Sequence, residues 1–157
     1  GFDLPVLHYR ALKHAVNAQR YWEVGETDKD YRYNNYLSRF HWRHVDLMDV
    51  LSGFQSFGRG SLETVAQLLE LPGKLGLSGD RVWATYLAGD IKAIRNYCEI
   101  DVLNTYLIFL RFELIRGELE PAQYDTEIAL VRAKLEGSEQ PHLKAFLAAW
   151  RPQPNVG

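Results

Sequence analysis

The chain has 157 residues, 46% of them hydrophobic and 24% charged, with a formal net charge of −2 at pH 7. That is a globular composition of roughly one domain, long enough to bury a core without a structural metal. The single cysteine, Cys98, excludes an internal disulfide and fits a reducing cytoplasm, and the longest apolar run, residues 106–110, is far too short for a membrane span. Charge is nearly balanced in each half, so any nucleic acid is held by a local groove with a few basic residues rather than by a global field.

The first residues, Gly1-Phe2-Asp3-Leu4-Pro5, enter a helix at once, with no starting methionine and no secretory pattern. The expectation is that these residues are the later part of a longer domain. Leu4, Leu7, Ala11, Leu12, Ala15 and Val16 have helical spacing, with Asp3 as the cap and Pro5 in the first turn. Residues 19–43 are polar and aromatic without a clean period, which predicts a long surface excursion of the kind that is usually functional. Within it Trp22, Tyr31 and Tyr33 either stack on unpaired bases or pack on a core.

Residues 44–51 read as a short strand running into a helix, or as a helix throughout. Asp46 and Asp49 there are structural caps, and His41 with His44 is a pair of surface histidines. Ser61 caps the next helix, which ends before Pro72-Gly73. In the following loop Lys74 lies between Gly73 and Gly76, as a phosphate contact or a solvated turn lysine. Residues 82–87 form a short helix stopped at Gly89. From Asp90 the pattern is helical to about Arg116, and residues 102–115 are apolar almost all round, which predicts burial on several faces. Helices over about 121–135 and 141–150 complete a chain in which convincing strands are nearly absent.

One constellation stands out chemically. Tyr97 and Asp101 are four apart on one helix face, and Asp101 opens the most apolar segment of the chain. No Lys or Arg lies three or four positions away to compensate a buried carboxylate there. A divalent cation would do so, with oxygen ligands suiting Mg²⁺ or Mn²⁺. A helix cap after a kink, or a bond to a neighbouring segment, explains the acid equally well.

Phe2-Asp3-Leu4-Pro5-Val6-Leu7 resembles the second motif of the four-acid (DEDD) 3′–5′ exonucleases, and Tyr97-x-x-x-Asp101 resembles their third motif in its tyrosine form. The run Tyr97-Cys98-Glu99-Ile100-Asp101-Val102-Leu103-Asn104-Thr105-Tyr106, residues 44–51 and the Pro72-Gly73-Lys74 loop resemble the predicted exonucleases related to the proofreading domain of family B DNA polymerases. The resemblance implies an α/β ribonuclease-H-like fold, bacterial and cytoplasmic. Here it would be mostly α-helical, because the N-terminal sheet strands fall outside these residues. Residues 1–117 would form the later part of the exonuclease domain and residues 118–157 a helical extension packed on it.

The resemblance also implies two divalent cations and a single-stranded nucleic acid 3′ end as substrate, DNA ahead of RNA. Asp101 would bind the cation that activates water, Tyr97 would orient that water, Asp3 would serve the second cation, and Lys74 would contact nucleic acid. The family's first motif, Asp-x-Glu on a strand, has no counterpart ahead of Asp3, and the asparagine of the second motif is absent as well. Asp125-Thr126-Glu127 reads as a solvated helix face. Residues 1–157 by themselves are therefore expected to be nearly inactive. The rival reading is a non-catalytic helical module that binds nucleic acid or a protein partner.

Overall fold

Short polar side chains decide where the helices begin. A computed structural model of the chain describes residues 3–151, except the side chain of Asp3, and among these it contains eight α-helices and no strand. They are α1 (Asp3–Lys13), α2 (Gln19–Trp22), α3 (Leu47–Leu51), α4 (Leu62–Leu68), α5 (Val82–Leu87), α6 (Ile91–Ile115), α7 (Pro121–Glu136) and α8 (Pro141–Ala149). Asp46 accepts the N–H groups of Met48 and Asp49 and so starts α3. Ser61 accepts from Thr64 at 3.1 Å to start α4, and Asp90 accepts from Ala93 at 2.9 Å to start α6. Each satisfies an amide that a helix N-terminus leaves without an intrahelical partner. α7 opens on Pro121, with Gln123 reaching back to the Glu120 N–H at 2.9 Å. Neither reading of residues 44–51 holds in full, since no strand forms and the helix begins only at Leu47, entered through an extended Asp46.

The chain divides into two compact units, Gly1–Arg59 and Gly60–Gly157. The first has a thin core, in which Tyr31 and Leu47 are buried. Residues 19–43 are mostly exposed, the surface excursion that their lack of periodicity predicts, with Tyr31 and Asn35 buried within it. They wrap around Tyr31, which is 1% exposed, with the Arg43 guanidinium 3.9 Å above its ring. Buried Asn35 donates to the Tyr31 carbonyl and accepts from the N–H groups of Leu37 and Ser38. An aromatic ring clasped by a cation and an asparagine needs no helical stripe, so the sequence shows no period there. α3 ends in two left-handed residues, Gly53 (φ 59°) and Phe54 (φ 61°). For a bulky residue that conformation costs about 1–3 kcal/mol, and the Phe54 N–H holds it by donating to the Asp49 carbonyl at 2.8 Å.

In the second unit α6 is the axis, and α4, α5, α7 and α8 all pack against it. Ile100, Leu107 and Ile108 are buried along one stripe of α6, together with Asn104. Burial on several faces, expected from composition, is only partly realised. Val102, Tyr106 and Phe109, spaced i, i+4 and i+7, are exposed by 67%, 38% and 39%. Apolar composition fixes what a face prefers, not whether a neighbour covers it. Glu99 ties α8 to α6, accepting from Arg95 at 2.7 Å and meeting His142 Nε2 at 2.5 Å.

The loop between α4 and α5 is fastened to α6 by one side chain. Asn104 accepts the Gly73 N–H at 3.1 Å, and its amide donates to the carbonyls of Gly73 at 2.9 Å and Ile100 at 3.0 Å. Gly73 has φ +64°, and a Cβ there would stand 2.8 Å from the Glu63 carboxylate oxygens. Replacing Asn104 with Leu leaves the Gly73 N–H and carbonyl buried without partners, which should cost about 3 kcal/mol. Urea unfolding of the variant measures this; an unchanged midpoint would show that the amide anchors nothing.

Candidate active site

Tyr97 and Asp101 sit one turn apart on α6, well inside its regular part, so helix geometry alone brings their side chains together. Tyr97 is half-buried. Burial pushes its phenol up to about 12, and the Asp101 carboxylate, at which the hydroxyl is directed, adds to the rise, as does the more remote Asp80. Asp101 Oδ1 is enclosed and has no hydrogen-bond partner among the described residues. A buried carboxylate oxygen without a donor is costly and rare in a finished core.

The fastened loop forms the other side of this site. A Cβ on Gly79 would lie 3.6 Å from the Tyr97 hydroxyl, so the single 3-10 turn Gly79–Arg81 stands directly beside it. Asp80 is exposed, and the Ser78 hydroxyl holds its carboxyl below the usual range, helped by the charges of Arg81 and Lys74. Lys74 is exposed on the same loop, its N–H donating to Glu63 Oε2 at 2.6 Å. Tyr97 and Asp101 therefore share the second unit with the Gly79 turn beside the hydroxyl, and Asp80 and Lys74 lie on the same loop.

The remaining sequence-derived candidates separate clearly. Asp3 opens α1 in the first unit, and its side chain lies outside the described residues. Tyr31 offers no face to a base, because Arg43 and Arg20 lie over its ring. Trp22 and Tyr33 stay exposed. His41 Nδ1 accepts the Asn35 N–H at 2.9 Å, a structural use of the ring. Asp46 and Asp49 both pair with Arg59, at 3.0 and 3.2 Å. Glu127 is not merely solvated, since it accepts the Tyr106 hydroxyl at 3.0 Å. Among the described residues no group of three or more His, Cys, Asp or Glu is arranged to hold a metal ion.

Sequence reasoning missed Asp80 and Asn104. Nothing periodic marks Asp80. Asn104 did carry a signal, as the one carboxamide in the apolar segment 102–115, three positions after Asp101.

Residues 1–150 match the family described as a predicted 3′–5′ exonuclease related to the exonuclease domain of PolB. No curated protein and no solved structure shows a significant match. No helix among the described residues is long and apolar enough to cross a membrane.

The Tyr97 phenol gives a direct test of the geometry. Its raised folded value means that its contribution to stability is complete below about pH 10 and is lost as pH rises through about 12. Ultraviolet titration of the chain minus that of Tyr97→Phe isolates this one phenol. Asp101→Asn should move its midpoint partway back toward 10, and an unmoved midpoint would show that the two groups do not meet.

Proposed function

The chain belongs to the predicted 3′–5′ exonucleases related to the exonuclease domain of PolB, and on that premise we propose that Asp101 and Tyr97 serve hydrolysis of the terminal phosphodiester at a single-stranded 3′ end, DNA ahead of RNA. The observation that supports this most is the enclosed, unpartnered Oδ1 of Asp101 beside the Tyr97 hydroxyl. A carboxylate with one oxygen so placed fits a cation ligand better than a structural role, which would have supplied that oxygen with a donor.

Bound divalent cations, Mg²⁺ or Mn²⁺, would supply charge stabilisation and an acidified water to such a reaction. Asp101 offers an oxygen to one of them and Asp3 is the second acid. The Asp-x-Glu pair of the family pattern would complete the set. Two carboxylates are few for two dications, because affinity rises with the number of charged oxygen ligands. Tyr97 moves no proton, since its phenol stays neutral throughout the range in which hydrolysis would run. It holds and orients the attacking water by its hydroxyl. Lys74 contacts a phosphate as a point charge.

The same reading assigns the ribonuclease-H-like fold. The open face of Val102, Tyr106 and Phe109 on α6 is an apolar surface of the kind a sheet would cover. Residues 118–157 extend the domain with α7 and α8, which pack on α6. The single cysteine suits the cytoplasm.

The test is metal-dependent digestion of 3′-labelled single-stranded DNA by protein that includes an Asp-x-Glu strand ahead of Asp3. Asp101→Ala should abolish turnover. Tyr97→Phe should lower kcat about 10²–10⁴-fold with little change in KM. Full activity with Ala at position 101 would remove the assignment, and inert protein with intact nucleic-acid binding would identify a binding module.

A further inference from the structure

The first unit holds a feature that the nuclease chemistry does not use. Between Asp30 and Asp46 the chain has no acidic residue, yet it carries Arg32, Arg39 and Arg43 interleaved with Tyr33, Tyr36, Phe40 and Trp42. Of these arginines, Arg43 is spent on the Tyr31 ring, whereas Arg32 and Arg39 are exposed and make no ion pair with any described residue. Basic and aromatic side chains in alternation, with acids excluded, are the pattern that follows a polyanion bearing flat rings.

The fold gathers part of this segment around a cavity of about 120 Å³. Phe40, Trp42, Val45, Val50 and Phe54 line it, and Arg39 stands at its edge. Phe40 and Phe54 meet edge to face at 5.2 Å, and the Arg39 guanidinium lies 5.5 Å from the Phe54 ring centre. Phe40 is 71% and Trp42 55% exposed. One water needs about 10–15 Å³ of such space, so the slot admits a flat group on the order of ten heavy atoms, the size of one nucleobase. Phe54 reaches it from a left-handed backbone that glycine would adopt more readily, so its ring is kept there against a conformational cost.

We propose that this slot takes one unpaired base of a single-stranded DNA, stacked on Phe40 and Trp42, while Arg39 meets the adjoining phosphate. The proposal rests on the nuclease reading for the identity of the ligand. Its chemistry is independent of Tyr97 and Asp101. A base still paired and stacked in a duplex cannot enter, so the slot distinguishes single from double strands by shape. Several exposed aromatics elsewhere serve as internal controls, among them Phe57, 90% exposed and not part of the lining.

Fluorescence anisotropy of a labelled oligothymidylate, with EDTA present so that no hydrolysis occurs, decides the matter. Phe40→Ala and Trp42→Ala should each weaken binding about tenfold. Arg39→Ala should weaken it and reduce the slope of log affinity against log salt by about one. Phe57→Ala should bind as the parent chain does, and a blunt duplex of equal length should bind less tightly than the single strand. Thermal melting shows that each variant is folded. Should Trp42→Ala unfold, Phe40→Ala and Arg39→Ala still decide.

Parent-like affinity in both of those variants, equal affinity for duplex and single strand, or no measurable binding by the parent chain would each overturn the slot. The two readings fail separately. Turnover lost in Asp101→Ala with normal binding by the slot variants keeps the nuclease and removes the slot. Weakened binding by the slot variants with turnover indifferent to Asp101 does the reverse.

Discussion

The second unit is organised by one carboxamide. Asn104 is 1% exposed within an apolar stretch of α6, and all three of its hydrogen bonds are made inside the protein. Two of them reach across 31 positions to the backbone of Gly73. A polar group so deeply placed is stabilising only when fully satisfied, and this one is satisfied by the loop it positions. The constraint spreads from there. Gly73 is pressed against Glu63, Glu63 accepts the Lys74 N–H, and Gln67 donates to the same carboxylate one helical turn further on. α4, the loop and α6 thus form one connected hydrogen-bonded structure, and Gly79 further along that loop stands beside the Tyr97 hydroxyl.

One turn earlier on the same helix the logic is reversed. Asp101 keeps an enclosed oxygen with no donor among the described residues, although the helix around it is regular and its backbone carbonyl accepts the Thr105 hydroxyl at 2.8 Å. A chain that satisfies Asn104 completely and leaves Asp101 incomplete, three residues apart, separates a structural polar group from one available to an external ligand.

What could be read from sequence was local. The bounds of α5, the Ser61 cap, the extent of α6 and the pairing of Tyr97 with Asp101 follow from spacing, caps and glycine stops within a few residues of each other. The Asn104 clamp joins positions far apart, and no periodicity announces it. The internal order of residues 19–43 was hidden for a related reason. Their order comes from Arg43 over Tyr31 and from the Asn35 turn, and such contacts leave no repeating pattern. The exposed face of α6 was misread because apolar residues there state a preference that no described neighbour fulfils. Asp3 was legible as a motif member only through resemblance, and Asp80 had no signal beyond its place between Gly79 and Arg81.

The left-handed Phe54 bears on how this region can change. Glycine would occupy that position with less backbone strain, and asparagine nearly as easily. Selection for heat resistance alone would drift toward such residues, and the aromatic slot would lose one wall while the fold gained. Selection for ligand retention would draw the phenylalanine back. Position 54 is thus a place where mutational libraries sorted by durability and by affinity should diverge, in the manner expected where stability and activity compete for one residue.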